Sequence, residues 1–259
     1  MTLPANPGDP LWRLAVYALS NIACLGLLVR LLVSRLVRSY MALTGWLMVS
    51  LVGAGAIWGI PMGFDTYRWF YFAAEGLNVI FFSWMVFQLY ARVLERLPGI
   101  ASVSRRAMQV ILFLSTMASL LLLGFEVTPR GPVTLMYLVA RTVMAALALF
   151  VLAITAFMVW FPVRVYRNGV IYMAGLALFF VSNAASMFLT NSRHAPYWFG
   201  GTVAMIAGTA SLVFWTVGFR RSGETTWHSP GRIFHPADEA RLLAKVESIN
   251  QTLLRIERK

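Results

Sequence analysis

The chain reads as an all-α integral membrane protein: a seven-transmembrane helix bundle with its amino terminus outside, its carboxyl terminus in the cytoplasm and a short C-terminal amphipathic helix. Three observations predict this class. Of the 259 residues, 59% are hydrophobic and only 12% charged, a balance that belongs to a chain solvated by lipid. Seven apolar runs reach the length that a bilayer requires, since a hydrocarbon core roughly 30 Å thick is crossed by about 20 helical residues. Arginine is divided unevenly between alternate loops, as in proteins oriented by cytoplasmic positive charge.

The runs occupy residues 12–33, 41–60, 70–92, 107–125, 134–160, 170–189 and 198–219. Turn-forming breaks separate them, among them Pro61-Met62-Gly63-Phe64-Asp65, Leu97-Pro98-Gly99 and Thr128-Pro129-Arg130-Gly131-Pro132. Barrel strands would alternate polar and apolar residues, whereas Leu120-Leu121-Leu122-Leu123 is apolar on every face. The organisation expected is an extracytoplasmic segment 1–11, the bundle over 12–221, a linker 222–235 and a cytoplasmic helix 236–259.

Arg30, Arg35, Arg38, Arg92, Arg96, Arg105, Arg106, Arg164, Arg167, Arg220 and Arg221 fall in one set of loops and at the C-terminal junction. The opposite set holds only Arg68, Arg130 and Arg193, with Arg13 at the entrance of the first helix. The first set is therefore read as cytoplasmic, with Arg92 snorkelling to lipid headgroups. The net charge of +12 is dispersed over these short loops, which fits the lipid bilayer and not nucleic acid as the partner. Trp12, Tyr40, Trp69, Trp160, Tyr197 and Trp198 stand at helix ends, where amphipathic rings favour the interface. Residues Met1 to Pro10 include no basic side chain, so the first run is read as a retained helix and not a cleaved signal.

Several chemistries are excluded by what the helices lack. Cys24 is the sole cysteine, which rules out an intramolecular disulfide and leaves a small packing residue. The helix count and topology resemble those of microbial rhodopsins, whose retinal is held by a lysine of the last helix. Here Lys245 and Lys259 are the only lysines and both follow the spans, so a covalent retinal pigment is excluded. His194, His228 and His235 also lie outside the spans, which removes the usual ligands of a buried haem. No metal, cofactor or enzyme signature is visible, and no enzymatic activity is expected.

Polar groups at membrane depth carry the functional signal, because exposing them to hydrocarbon costs several kcal/mol and they turn towards protein or water. Glu75 and Asn78 share one face of the third span, and Arg141 on the fifth lies at similar depth, within reach of an ion pair. Asn21 on the first span and Asn183 on the sixth fall nearer the midplane, with Thr142, Ser182 and Thr209 as further hydroxyls. This set is either a ligand site opening outward or a group of interhelical contacts. Gly55 and Gly59, and Gly200, Ala204 and Gly208, form small-residue seams that allow close packing, read as contacts within one chain in preference to a dimer.

Beyond Arg221 the chain becomes polar. Leu242, Val246, Ile249, Leu253 and Ile256 are spaced 4, 3, 4 and 3, the alternation of a coiled-coil seam. Pro236 suits the first turn of that helix, Asp238 and Glu239 its positive end and Arg255, Arg258 and Lys259 its negative end. A homodimer, a cytoplasmic protein partner, the membrane surface and the chain's own bundle all suit such a stripe.

The segment Tyr71 to Ile100, YFAAEGLNVIFFSWMVFQLYARVLERLPGI, together with the seven-span layout, resembles small uncharacterised bacterial seven-transmembrane proteins. The resemblance implies a multi-pass protein of the bacterial inner (cytoplasmic) membrane and supplies no catalytic residues. The function expected is a non-enzymatic membrane sensor or scaffold that signals or assembles through its C-terminal helix. The alternative is a small-solute or ion transporter or channel using the outer-half polar site, although no internal repeat or proline-broken helix centre is present.

Overall fold

The computed structural model of the protein describes residues 11–59, 64–95, 100, 106, 109–110, 113–114, 117, 132–160, 165–191, 197–228 and 244–252. Within them run six long helices: α1 (Leu11–Val33), α2 (Met41–Gly59), α3 (Phe64–Val93), α4 (Pro132–Trp160), α5 (Arg167–Asn191) and α6 (Tyr197–Gly218). Residues 244–252 form a shorter helix, α7. Five stretches, within α1, α3, α4, α5 and α6, are long and apolar enough to cross a membrane, and Met41–Ala56 of α2 is a shorter apolar stretch.

Five of the helices, α1, α2, α4, α5 and α6, sit within three residues of the runs read from the sequence. Helix α3 begins six residues ahead of its run, whose apolar continuity is broken at Asp65 and Arg68. Helix α4 opens on Pro132, whose missing N–H costs nothing at a first helical position. Most of the run 107–125 lies outside the described residues, and those described there, Gln109, Val110, Phe113, Leu114 and Met117, are helical and exposed.

Packing is circular. Each of α1 to α6 lies against the next, and α6 closes the ring against α1, with α3 also touching α5 across it. The interior is filled by Leu27, Leu31, Leu43, Leu47, Met85, Leu89, Leu147, Tyr172, Leu176, Phe180 and Trp215, all fully buried. Large apolar side chains also cover the outside: Ile22, Val52, Leu149 and Val217 are each about two-thirds exposed. Water would not tolerate a continuous surface of that kind, and lipid does. The protein is a helical, multi-pass membrane protein.

Helices α3 and α4 run in the same direction. The Tyr90 hydroxyl near the end of α3 donates to the Phe150 carbonyl in the second half of α4 at 2.9 Å, while Glu75 and Asn78 of α3 and Met144 of α4 border one cavity nearer the other end. Two consecutive parallel helices require the chain between them to return to its starting side.

Helix α1 ends in a Schellman motif. Leu36 N–H donates to Leu31 O at 2.9 Å and Arg35 N–H to Leu32 O at 3.0 Å, with Leu36 packed in the core beside Leu31. Arg35 occupies the left-handed position at φ 57°, where glycine is usual.

The start of the expected linker 222–235 belongs to the bundle. Arg221–Glu224 forms a 3-10 turn, and Trp227–His228 pairs antiparallel with Val165–Tyr166, in the register Val165 to His228 and Tyr166 to Trp227. That pairing ties the α4–α5 connection to the segment after α6. On α7, Val246 is buried in the core and the Asn250 Oδ1 accepts from the Ile100 N–H at 3.3 Å, whereas Ile249 is exposed. The inward face of α7 is thus the Val246–Asn250 side. Leu242, Leu253 and Ile256 of the coiled-coil seam lie outside the described residues.

Candidate functional site

A cavity of about 200 Å³ lies inside the ring, and every one of α1 to α6 contributes to its wall. Helix α1 offers Tyr17, Ser20, Asn21 and Cys24, and α2 offers Trp46, Ser50 and Ala54. Helix α3 supplies Glu75, Asn78 and Phe82, α4 supplies Met144, and α5 supplies Phe179 and Asn183. Ala204, Met205, Gly208 and Leu212 of α6 complete it. The spacing explains the convergence: Glu75, Asn78 and Phe82 are three and four residues apart, one stripe of α3, and Asn21 and Cys24 repeat the pattern on α1.

Four of the five residues singled out from the sequence, Asn21, Glu75, Asn78 and Asn183, therefore meet around one space. Glu75 and Asn78 are both buried. The Trp46 indole N–H donates to the Asn78 Oδ1 at 3.2 Å, which fixes the amide so that its Nδ2 faces the Glu75 Oε2 at 3.5 Å. Asn21 donates to the Tyr17 carbonyl at 2.9 Å and Asn183 to the Phe179 carbonyl at 2.7 Å, each one turn back on its own helix. Arg141 lies on α4, but its side chain is outside the described residues.

The expected hydroxyls do not join this wall. Ser182 bonds back to Leu178 and Phe179, and Thr209 to Met205, which are local carbonyls that satisfy a hydroxyl inside an apolar helix. Thr142 is not among the residues bordering the cavity. The small residues divide likewise. Gly208 faces the Phe179 ring of α5, as close packing within the chain requires, whereas a methyl added at Gly55 would meet open space.

The floor of the cavity is aromatic. Trp46, Phe82 and Phe179 form a triangle with ring centroids 5.5, 5.7 and 5.2 Å apart, in the tilted and edge-on arrangements that aromatic quadrupoles favour. Below it Phe82 stands edge-on to Phe180, and one turn further along α3 the Met85 carbonyl accepts from the Tyr172 hydroxyl at 3.4 Å. Tyr172 then stands edge-on to Tyr40 at 5.0 Å.

Tyr40 opens a second polar cluster, at the arginine-rich end of the bundle, which the sequence reading did not assemble. Its hydroxyl donates to the Glu224 Oε1 at 2.9 Å, and burial holds the phenol well above its usual pKa range, so the donor stays neutral. Arg92 reaches the same carboxylate at 3.4 Å and lies over the Tyr40 ring at 4.2 Å from its centroid. Its guanidinium is thus held inside the protein by a carboxylate and a ring face, and the expectation that it snorkels to headgroups is corrected. Fully buried Asn168 donates to both the Glu224 Oε1 at 3.1 Å and the Arg220 carbonyl at 2.8 Å, and accepts from the Arg220 N–H at 3.3 Å. Arg30 adds a bond to the Phe219 carbonyl at 3.1 Å, capping the end of α6. Gly223 lies so close to the Asn168 Oδ1 that only glycine fits there.

Among the described residues, no group of His, Cys, Asp and Glu could hold a metal ion. No family model, curated protein or solved structure matches the chain.

Proposed function

We propose that the protein is a seven-span sensor of the cell inner membrane, its amino terminus outside, that binds a small ligand in the cavity and passes the change in packing to its cytoplasmic end. The observation that carries this reading is the cavity itself. A space bordered by all six helices of the ring is where a ligand gains different affinity for two packings of the bundle, the condition for any signal. The parallel course of α3 and α4 supports a further crossing by residues 107–125, which at 1.5 Å per residue extend roughly 28 Å. The arginine-rich end then faces the cytoplasm, and the cavity lies in the outer half.

The contact chain Phe82, Met85, Tyr172, Tyr40 and Glu224 supplies a packed route from the cavity floor to the segment that precedes the C-terminal helix. The same filled interior argues against a transport path, since Leu31, Tyr172, Phe180 and Trp215 below the cavity are fully buried. The C-terminal helix is the proposed output, through a second copy or a cytoplasmic protein.

Two measurements test the reading. Filling the cavity with Gly208→Met should change amide hydrogen exchange at residues 220–228, remote from the substitution, and exchange that changes only around residue 208 would overturn the route. Deleting Pro236 to Lys259 should alter oligomer size or partner recovery from membranes, and no change in either would remove the output arm. Solute flux in proteoliposomes that vanishes with Glu75→Gln would establish the transporter reading instead.

A further inference from the structure

Helices α1 and α6 lie against one another, and both end in arginines of two kinds. Arg30 is partly committed: its Nε donates to the carbonyl of Phe219, the residue before Arg220, at 3.1 Å. Its four other N–H groups have no partner among the described residues. Arg35, Arg38, Arg220 and Arg221 are exposed, and among the described residues none of these four side chains has an ion pair. The turn carrying Arg35 and Arg38 rests on the end of α6, since the ring of Tyr40, which follows it, lies 4.7 Å from the Phe219 ring. Arg92 stands apart from this set, because Glu224 and the Tyr40 ring already hold it.

We infer that the junction of α1 and α6 at the arginine-rich end is a binding site for one anionic phospholipid. Its phosphate is held by these guanidinium groups, and its acyl chains lie along the exposed apolar faces of the two helices. The inference stands apart from the cavity and needs only that the bundle sits in a bilayer.

Charge is the first argument. Guanidinium groups present paired N–H donors in the geometry of phosphate oxygens, and neighbouring unpaired cations repel one another until an anion joins them. A zwitterionic headgroup brings its own cation into the same field and gains less.

The backbone is the second. Arg35 takes the left-handed position at φ 57° that glycine usually fills, and residues held in such sparsely populated conformations cluster where function requires them. Packing does not account for the arginine, because the buried contact of this turn is made by Leu36 while Arg35 is exposed. What Arg35 contributes beyond a glycine is its guanidinium.

The apolar surface is the third, and it separates a lipid from a free phosphate. Val29, Leu32 and Val33 of α1 and Val213 and Val217 of α6 are exposed along the last turns that lead to the arginines. Gly26 lies one turn before Arg30 on the same face of α1, and a methyl added there would meet nothing within 4 Å. That leaves room for an acyl chain against the helix. A soluble phosphate would use the arginines and none of this surface.

The test uses the full-length protein in a neutral detergent, with bound lipids counted by native mass spectrometry. The probes are dioleoylphosphatidylglycerol, dioleoylphosphatidylcholine and, as a competitor without acyl chains, glycerol 3-phosphate. The anionic lipid is expected to saturate at one molecule and to bind at least about tenfold more tightly than the zwitterionic one. Arg35→Gly, Arg38→Gln and Arg221→Gln should each weaken it by about fivefold, and the triple variant should abolish the preference. Arg13→Gln, which removes one charge at the other end of the bundle, should leave it unchanged.

Equal binding of the two lipids, binding of the anionic lipid without saturation, or a preference retained in the triple variant would each overturn the site. So would an equal loss in Arg13→Gln, which would make the effect one of overall charge. Displacement of the lipid by glycerol 3-phosphate at matched concentration would reassign the arginines to a soluble phosphate. The comparison of the two lipids is made on the unmutated protein and each single variant is read by itself, so the outcome stands even if the triple variant does not fold.

Discussion

Tyr40 and Glu224 are separated by 184 residues and joined by a hydrogen bond of 2.9 Å. The carboxylate, which follows the last long helix, is also held by Arg92 and Asn168, so it connects the α1–α2 turn, the end of α3 and the start of α5. Removing it strands a buried phenol and a guanidinium that is three-quarters buried. Glu224→Ala should cost about 2–4 kcal/mol, against about 1 kcal/mol for Tyr40→Phe, which keeps the ring under Arg92. Thermal unfolding in detergent would measure both. The double variant should be less destabilised than the sum, because the two substitutions remove one shared bond.

Two glycines at comparable positions in helices should respond in opposite directions. A methyl at Gly175 of α5 would collide with the Trp215 indole of α6, and Gly175→Ala should destabilise the protein by about 1–3 kcal/mol. A methyl at Gly55 meets nothing, so Gly55→Ala should stabilise α2 by up to about 1 kcal/mol through helix propensity alone. Equal effects in the two variants would show that the α5–α6 contact is looser than these positions indicate.

The left-handed Arg35 gives a third expectation. Replacing it with glycine relieves the backbone but enlarges the unfolded ensemble, so Arg35→Gly should leave stability within about 0.5 kcal/mol of the original. Arg35→Val should cost about 1–2 kcal/mol, since a branched Cβ tolerates positive φ least. A strongly destabilised glycine variant would show that the arginine side chain itself holds the turn.

Helix α7 is expected to be anchored by one face only. Val246→Asp should release it from the bundle and expose the tail to limited proteolysis, because an unpaired carboxylate would enter the core. Ile249→Asp, on the exposed side, should leave the digestion pattern unchanged. If Ile249→Asp alone disrupts oligomers or partner recovery, the exposed side is the interface.

How much of this was legible in the sequence depends on how each residue announces itself. Glu75, Asn78, Asn21 and Asn183 stand out because a polar group inside an apolar run is conspicuous whatever it touches, and helical spacing alone puts Glu75 and Asn78 on one face. Glu224 carried no such mark. It lies in a polar stretch where one more carboxylate is unremarkable, and its partners come from turns and helix ends whose mutual approach is a property of the closed ring. Asn168 is equally silent in the first turn of α5. Arg92 was noticed and misassigned, since an arginine near a helix end snorkels by default unless tertiary structure brings it a carboxylate and a ring. Ser182 and Thr209 are poor guides for a related reason: a hydroxyl in a helix has a carbonyl one turn back as an ever-present partner.

The position of Glu224 also bears on biosynthesis. Tyr40, Arg92 and Asn168 are all made before their common partner, and Tyr40 waits for 184 further residues. At about 5–20 residues per second this delay is roughly 10–40 s. Throughout that interval the earlier helices reside in the membrane without the carboxylate that fastens their ends. A nascent chain arrested just after α6 would have all six long helices of the ring and none of that fastening, so closing this end of the bundle waits on the delivery of a short polar turn.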